Sequence, residues 1–326
     1  MDIYIYIHMY FDNKDSFLQP KVKQYGRNMV MTNVYKETKT KYWNIDTRFR
    51  DDYDQYSQTL TGSQINWYTF TLPQNINDVK SIYACNIELP MSFYNISASL
   101  GNNVMKINDS VLTIPDGVYS LASLRTAFQT QLAGLSLSAV LFDISLNGNN
   151  ISSFQNITGS PITLNFAVKT ATCNPLATGV GSTADFDKYN IKSKLGWLLG
   201  FRDISYTINS GVTKYSESVM DINNPKYLYL VIDEFINGNQ NSFISALPTS
   251  IINKNILAKI SMDYKNYGTG TILPANEYNG LLLSDKRTYS GKVNLQKLKI
   301  QLVNEYGFPV NLNGLDFSFC LEIEYE

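Results

Sequence analysis

Apolar and polar positions alternate with a period of two along most of the chain, the pattern of a half-buried β-strand. In INWYTFTL, Ile65, Trp67, Thr69 and Thr71 lie on one face and Asn66, Tyr68, Phe70 and Leu72 on the other. Both faces carry apolar bulk, so this strand is expected to be covered on both sides. Pro73 has no N–H to give a sheet ladder and is expected to end it. The next strand, Val79 to Leu89, alternates more cleanly. Val79, Ser81, Tyr83, Cys85, Ile87 and Leu89 form one face, and Pro90 stops it. These strands anchor the stretch from Trp43 to Asn103, which reads as a sheet that supports other surfaces.

The texture changes after Gly101-Asn102-Asn103, a turn signal. Short strands VMKI and SVLTI are separated by Asn108-Asp109. Leu121, Leu124, Phe128, Leu132 and Leu135 then recur at helical spacing, with Ser120 or Ser123 as cap and an end near Gly134. Ser138 to Ser145 and ISSFQNI pair across Asn147-Gly148 as a hairpin. Pro161 to Val168 is a further strand. A Gly/Ser/Thr/Ala loop spans 171–184, and Ser193 to Phe201 is a short apolar helical segment. Residues 102–202 therefore read as an α+β insertion.

From Asp203 the chain returns to strands: ISYTI, TKYSESVMDI, Pro225 to Phe235, Ile256 to Met262, TIL, YNGLLL, Val293 to Glu305 and Leu315 to Glu326. The phase of the Val293 stretch breaks near Gln296, which predicts a bulge. Many strands with Gly, Pro and Asn turns, and helices confined to one insert, predict a mainly β protein, an antiparallel jelly-roll sandwich of roughly eight strands. A double jelly roll is the alternative. The expected division is an extended N-terminal arm over 1–42, a jelly-roll domain over 43–101 plus 203–326, and the insertion over 102–202. The arm is polar and Lys-rich after a short alternating start, MDIYIYIHMYF, which lacks the basic n-region of a signal peptide and is too short to span a bilayer.

Composition narrows the chemistry. The chain has 326 residues, a net charge of −1, 23 Tyr and 16 Phe. With no basic excess to neutralise phosphates, direct nucleic-acid binding is not expected. The single histidine, His8, leaves no His cage for a metal and no second candidate for a Ser–His–Asp triad. Cys85, Cys173 and Cys320 are far apart in sequence and form no CxxC, so no disulfide framework is expected. Cys85 and Cys320 sit in apolar strand patterns and read as small core residues.

Other motifs read as structural. Arg48 to Tyr56 lacks the Gly turn and closing Glu of an EF-hand and reads as an ion-paired loop. Asp233 and Glu234 are adjacent on an extended chain, point to opposite faces, and so form no acid/base couple. Glu322, Glu324 and Glu326 share one parity and make a solvent face. Gly179 to Ser182 lacks the Lys of a phosphate loop. The sequons at Asn95, Asn108, Asn150 and Asn156 read as chance matches in an Asn-rich chain. No catalytic, cofactor-binding or metal-binding residue is nominated, and no cofactor is expected.

Several segments carry a resemblance: NIDTRFRDDY (44–53), FTLPQNINDVKSIYACNIELPMSFYNIS (70–97), GNN (101–103), TIPDGVYSLASL (113–124), KLGWLLGF (194–201), YLYLVIDEF (227–235), NILAKI (255–260) and LNGLDFSFCLEIEY (312–325). In these the chain resembles jelly-roll minor capsid or penton-type vertex proteins of large double-stranded DNA viruses and virophages. The resemblance covers most of the chain after residue 43 and rests on hydrophobic-and-turn patterns. It implies a non-enzymatic structural protein of an icosahedral shell, made in the host cytoplasm and located in the virion. The implied partners are the major capsid protein, minor capsid proteins and further copies of itself, with a pentamer as the vertex form. A jelly-roll attachment module that binds host glycans through Trp67 or Trp197 is the rival reading, and a glycosidase on a β-sandwich is another.

Overall fold

The computed structural model describes residues 21–25, 28–32, 37–51, 68–145, 149–168, 190–223, 225–235, 255–307 and 309–326. The strands are β1 (Lys21–Tyr25), β2 (Asn28–Thr32), β3 (Lys39–Asp46), β4 (Tyr68–Pro90), β5 (Val104–Ile107), β6 (Ser110–Thr113), β7 (Val140–Ile144), β8 (Ser152–Asn156) and β9 (Ile162–Asn165). They continue with β10 (Ser205–Ile208), β11 (Thr213–Tyr215), β12 (Tyr227–Asp233), β13 (Ile256–Ser261), β14 (Ile272–Asn276), β15 (Leu282–Ser284), β16 (Arg287–Asn304) and β17 (Ser318–Tyr325). The helices are α1 (Leu121–Gly134) and the single turn α2 (Leu195–Leu198).

The protein is mainly β and antiparallel, as the alternation predicts. Eight strands form one sheet in the order β15-β13-β12-β16-β4-β17-β3, with β14 also paired to β4. Two long strands, β4 and β16, run through its middle. The sheet curls until β15 returns to β4, where the Ala84 N–H donates to Ser284 Oγ (3.1 Å). The inside is filled by Phe70, Ile82, Ile87, Leu230, Ile232, Leu298, Ile300, Phe319 and Leu321, among others. Phe317 meets Tyr68 edge-on at 5.5 Å.

Two expectations for β4 are corrected. Pro73 does not end a strand, because β4 continues through it. The register with β16 jumps from Thr71↔Lys297 to Ile76↔Leu295, so a bulge absorbs the residue that cannot donate. The start of β4 is covered on one side only: Tyr68, Phe70 and Leu72 are buried, Thr71 is exposed, and Thr69 is half-buried. The bulge expected near Gln296 is present as register shifts on both sides of Leu295.

The face assignment of the second half of β4 is also corrected. Val79, Ile87 and Leu89 point inward, but Tyr83 and Cys85 are half-buried on the outer side, while Ile82 and Ala84 are buried. The phase slips because β17 pairs Cys320 with Asn86 and Leu321 with Ala84, leaving Cys85 as an extra residue. A strict period of two cannot see such an insertion.

A second core lies between Ile96 and Ile222. Its sheets are β10-β9-β5-β6 and β11-β8-β7. Ser120 and Ser123 make a reciprocal capping box at the start of α1, and Leu124, Phe128 and Leu132 form its buried face. Phe128 stacks on Phe142 at 4.1 Å, and Phe142, Phe154, Phe201 and Phe166 continue the ring contacts. Gly196 lets α2 lie against Phe166, whose ring would be 2.3 Å from any Cβ placed there. This core extends past residue 202, since β10 pairs with β9, β11 pairs with β8, and Met220 and Ile222 are buried in it. Both α-helices lie in this segment among the described residues, and it holds sheets of four and three strands, not a second eight-stranded sheet. The Tyr306 hydroxyl donates to the Lys192 carbonyl (3.1 Å), joining the second core to the end of β16.

Within the residues expected as an extended arm, β1 and β2 pair with each other, and β3 already begins at Lys39. No helix among the described residues is long and apolar enough to cross a membrane.

Candidate functional site

A groove of about 520 Å³ opens where β3, β14 and β17 converge at the end of β4. Its wall includes Arg48, Glu88, Met91, Ile272, Leu315 and Asp316. The sequence builds this end from turns held by charged hydrogen bonds. Asp46 caps the turn Thr47–Phe49 by accepting from the Arg48 N–H (3.0 Å), and it pairs with the Arg48 guanidinium at 2.5 Å. That hydrogen bond holds the Asp46 carboxyl below the usual carboxylate range, against the opposing effect of burial. Arg50 pairs with Asp316 at 3.0 Å, and the Thr47 hydroxyl donates to the same carboxylate (2.8 Å). Asp51 accepts from the Thr71 hydroxyl (2.7 Å) and N–H (3.1 Å). In the described part of the Asp-rich segment, Arg48, Arg50 and Asp51 thus meet Asp46, Asp316 and Thr71, all outside the segment, and not one another as an internally paired loop would require. Residues Asp52 to Tyr56 lie outside the described residues.

Apolar side chains stand exposed around this groove. Ile272 is 61% exposed, Leu315 51% and Phe49 76%. Two of these line it, and the third sits in the turn that Arg50 ties to Asp316. A groove walled by paired charges and rimmed by bare apolar side chains suits a protein contact. No cluster of His, Cys, Asp or Glu fit to hold a metal occurs among the described residues.

A second polar cluster lies inside the barrel. Glu234 and Arg287 form an ion pair, and the Tyr289 hydroxyl donates to the same carboxylate oxygen (3.0 Å). Arg287 also donates to the Ile232 carbonyl (3.0 Å). Burial, and then the Glu234 charge, push the Tyr289 hydroxyl far above its ordinary value. Asp233 points the other way, accepting from the Phe235 N–H (2.9 Å), so the adjacent carboxylates diverge as expected. Sequence reading missed Arg287, because a cation buried in a strand start has no signature until its carboxylate partner is placed.

On the outer face, Ser81 donates to Glu324 (2.9 Å) and Lys286 pairs with the same residue. Glu326 pairs with Lys80 (2.8 Å) and Lys292 (3.0 Å), which hold its carboxyl down at about 2. These glutamates form the polar face that their parity predicts. Trp197 is half-buried, with the Arg202 guanidinium 4.1 Å from its ring centre and Lys192 at 5.8 Å. Cations rather than free space lie over this ring. Asn156 is fully buried, and its amide donates to the Ser160 and Ile208 carbonyls (2.8 and 2.9 Å), so this sequon is structural. Asn95 likewise donates to the Tyr119 carbonyl (2.9 Å). His8, Trp67, Cys173 and Gly179 to Ser182 lie outside the described residues.

No family model matches the chain, and no curated protein matches it. Among solved structures, the chain is similar to the mavirus penton protein, with 10% identity and a TM-score of 0.36, over 80% of this chain and 99% of that one. It is also similar to a chain of the Sputnik virophage structure determined by cryo-EM, with 11% identity and a TM-score of 0.40, over 88% and 98% of the two chains.

Proposed function

We propose that this chain is a structural subunit of an icosahedral virus capsid, a minor capsid or penton protein, with no catalytic role. The observation that carries the reading is where the resembling segments fall. Segments 44–53, 70–97, 227–235, 255–260 and 312–325 contribute to β3, β4, β12, β13 and β17 of one curled sheet. Segments 113–124 and 194–201 contribute to the second core. The resemblance is thus spread over both packed units instead of over one short motif.

The sheet is the jelly roll in this reading, and the unit between Ile96 and Ile222 is an insertion on it, with the N-terminal residues as an arm. The two separate buried clusters support that division. The partners are other capsid proteins and further copies of this chain. Five-fold assembly needs a head-to-tail interface that closes a ring, and the groove lined by Ile272 and Leu315, with Phe49 exposed on the neighbouring turn, is the surface best suited to it. Native mass spectrometry of the purified full chain tests the vertex form. A pentamer is the expected result. A strict monomer at all concentrations, alone and with the major capsid protein, would overturn it.

A further inference from the structure

Cys85 and Cys320, which lie far apart in sequence, are brought together on the outer face of the sheet. β4 and β17 are antiparallel neighbours, with Asn86 opposite Cys320 and Ala84 opposite Leu321. Cys85 is the extra residue of a bulge. At such a bulge two successive residues of one strand oppose a single residue of the other. The burial pattern agrees: Cys85, Asn86 and Cys320 are exposed or half-buried, while Ala84, Ile87, Phe319 and Leu321 are at most 1% exposed. Cys85 and Cys320 are free cysteines.

Neighbouring antiparallel strands hold opposed Cα atoms about 4.5 to 5.5 Å apart, inside the roughly 4.4 to 6.8 Å that a disulfide spans. We propose that Cys85 and Cys320 are a modification site, a dithiol pair that closes to a cross-strand disulfide when the protein meets a low-molecular-weight disulfide oxidant such as oxidised glutathione. The bond staples the C-terminal strand β17 to β4 in the middle of the sheet.

The two thiols play different parts. Burial raises both above the ordinary thiol value, and Cys85 reaches about 11, with the nearby Cys320 and Glu322 adding to the effect. In this exchange Cys320 is the attacking group and Cys85 the resolving one. The Cys320 thiolate bonds to one sulfur of oxidised glutathione, the glutathione S–S bond breaks, and one glutathione leaves carrying the Cys320 proton. The Cys85 thiolate then attacks Cys320 Sγ, the mixed disulfide breaks, and the second glutathione leaves with the Cys85 proton. The protein dithiol is oxidised and the glutathione disulfide is reduced to two thiols.

The test uses the purified full chain, incubated with oxidised glutathione in mildly alkaline buffer. The expected result is loss of two of its three thiols and a mass decrease of two hydrogen atoms. An unreduced digest should contain a peptide pair linking Cys85 to Cys320, and the melting midpoint should rise. Cys173→Ser should behave like the parent, and Cys85→Ser should stop at a Cys320–glutathione mixed disulfide. Retention of all three thiols by folded protein, or a linkage through Cys173, would overturn the proposal. So would glutathione adducts that persist on the parent chain without closing.

Discussion

The Glu234 carboxylate and the Arg287 guanidinium meet inside the sheet with side chains 0% and 1% exposed. They tie the residue after β12 to the first residue of β16, two strands whose ladder runs only from Leu228↔Asn304 to Asp233↔Lys299. The pair therefore braces a part of the barrel that backbone hydrogen bonds between these two strands do not reach.

Removing one partner strands the other charge in an apolar interior. Glu234→Ala is expected to destabilise the protein by about 3–5 kcal/mol. The double replacement Glu234→Leu with Arg287→Met should recover most of that loss, because no unpaired charge remains. Urea unfolding of the three proteins checks this, and a double variant as unstable as the single one would contradict it.

Glu305 has the opposite character. It is half-buried, and the burial of its carboxyl raises its pKa above the ordinary carboxylate value even though the Lys226 N–H donates to Oε1 (3.4 Å). Oε2 is buried without a hydrogen bond. A carboxyl whose folded pKa lies above its unfolded value favours folding when protonated. That contribution is full below the unfolded pKa and is lost as pH rises through the folded one. Glu305→Gln is thus expected to stabilise the protein at neutral pH and to have little effect in acid. Thermal melts across pH 4 to 7, a span of about three units, should show the gap opening upward; a constant gap would count against it.

Gly196 has no room for a side chain beside Phe166. Gly196→Ala should cost about 1–3 kcal/mol through overpacking. Phe128→Ala, which empties a fully buried ring site in the same core, should cost about 3–5 kcal/mol. Denaturant titrations measure both. Values near zero would mean the second core is packed differently.

At the groove, Ile272 and Leu315 are exposed in the single chain. Ile272→Glu and Leu315→Glu should each change its stability by no more than about 0.5 kcal/mol. Both should weaken self-association, as read by sedimentation velocity. Unaltered association in both variants would move the interface elsewhere.

Much of the fold was legible as alternation. β5, β6, α1, β7, β8, β9, β12, β13 and β17 fall where the patterns put them, because each buries one clean face or, for β5, β12 and β13, residues on both. What alternation could not show were the irregularities. Pro73 looked like a stop because a proline breaks a ladder, yet a bulge in β4 absorbs it. Cys85 looked like a core residue because a strict alternation cannot show that it is the extra residue of a bulge between Ala84 and Asn86. β10 and β11 looked like parts of the main sheet because strand patterns do not carry the name of their partner; they pair with β9 and β8. The groove was invisible for a related reason. Phe49, Ile272 and Leu315 come from three distant segments, and only the packing of β3, β14 and β17 shows that they are exposed at one end.

The most direct test of the capsid reading is the copy number of this chain in purified virus particles, measured by quantitative mass spectrometry against the most abundant shell protein. A small, fixed ratio is the result expected of a vertex or minor capsid protein. A ratio near one would make this chain the main shell protein, and its absence from the particles would contradict the capsid reading altogether.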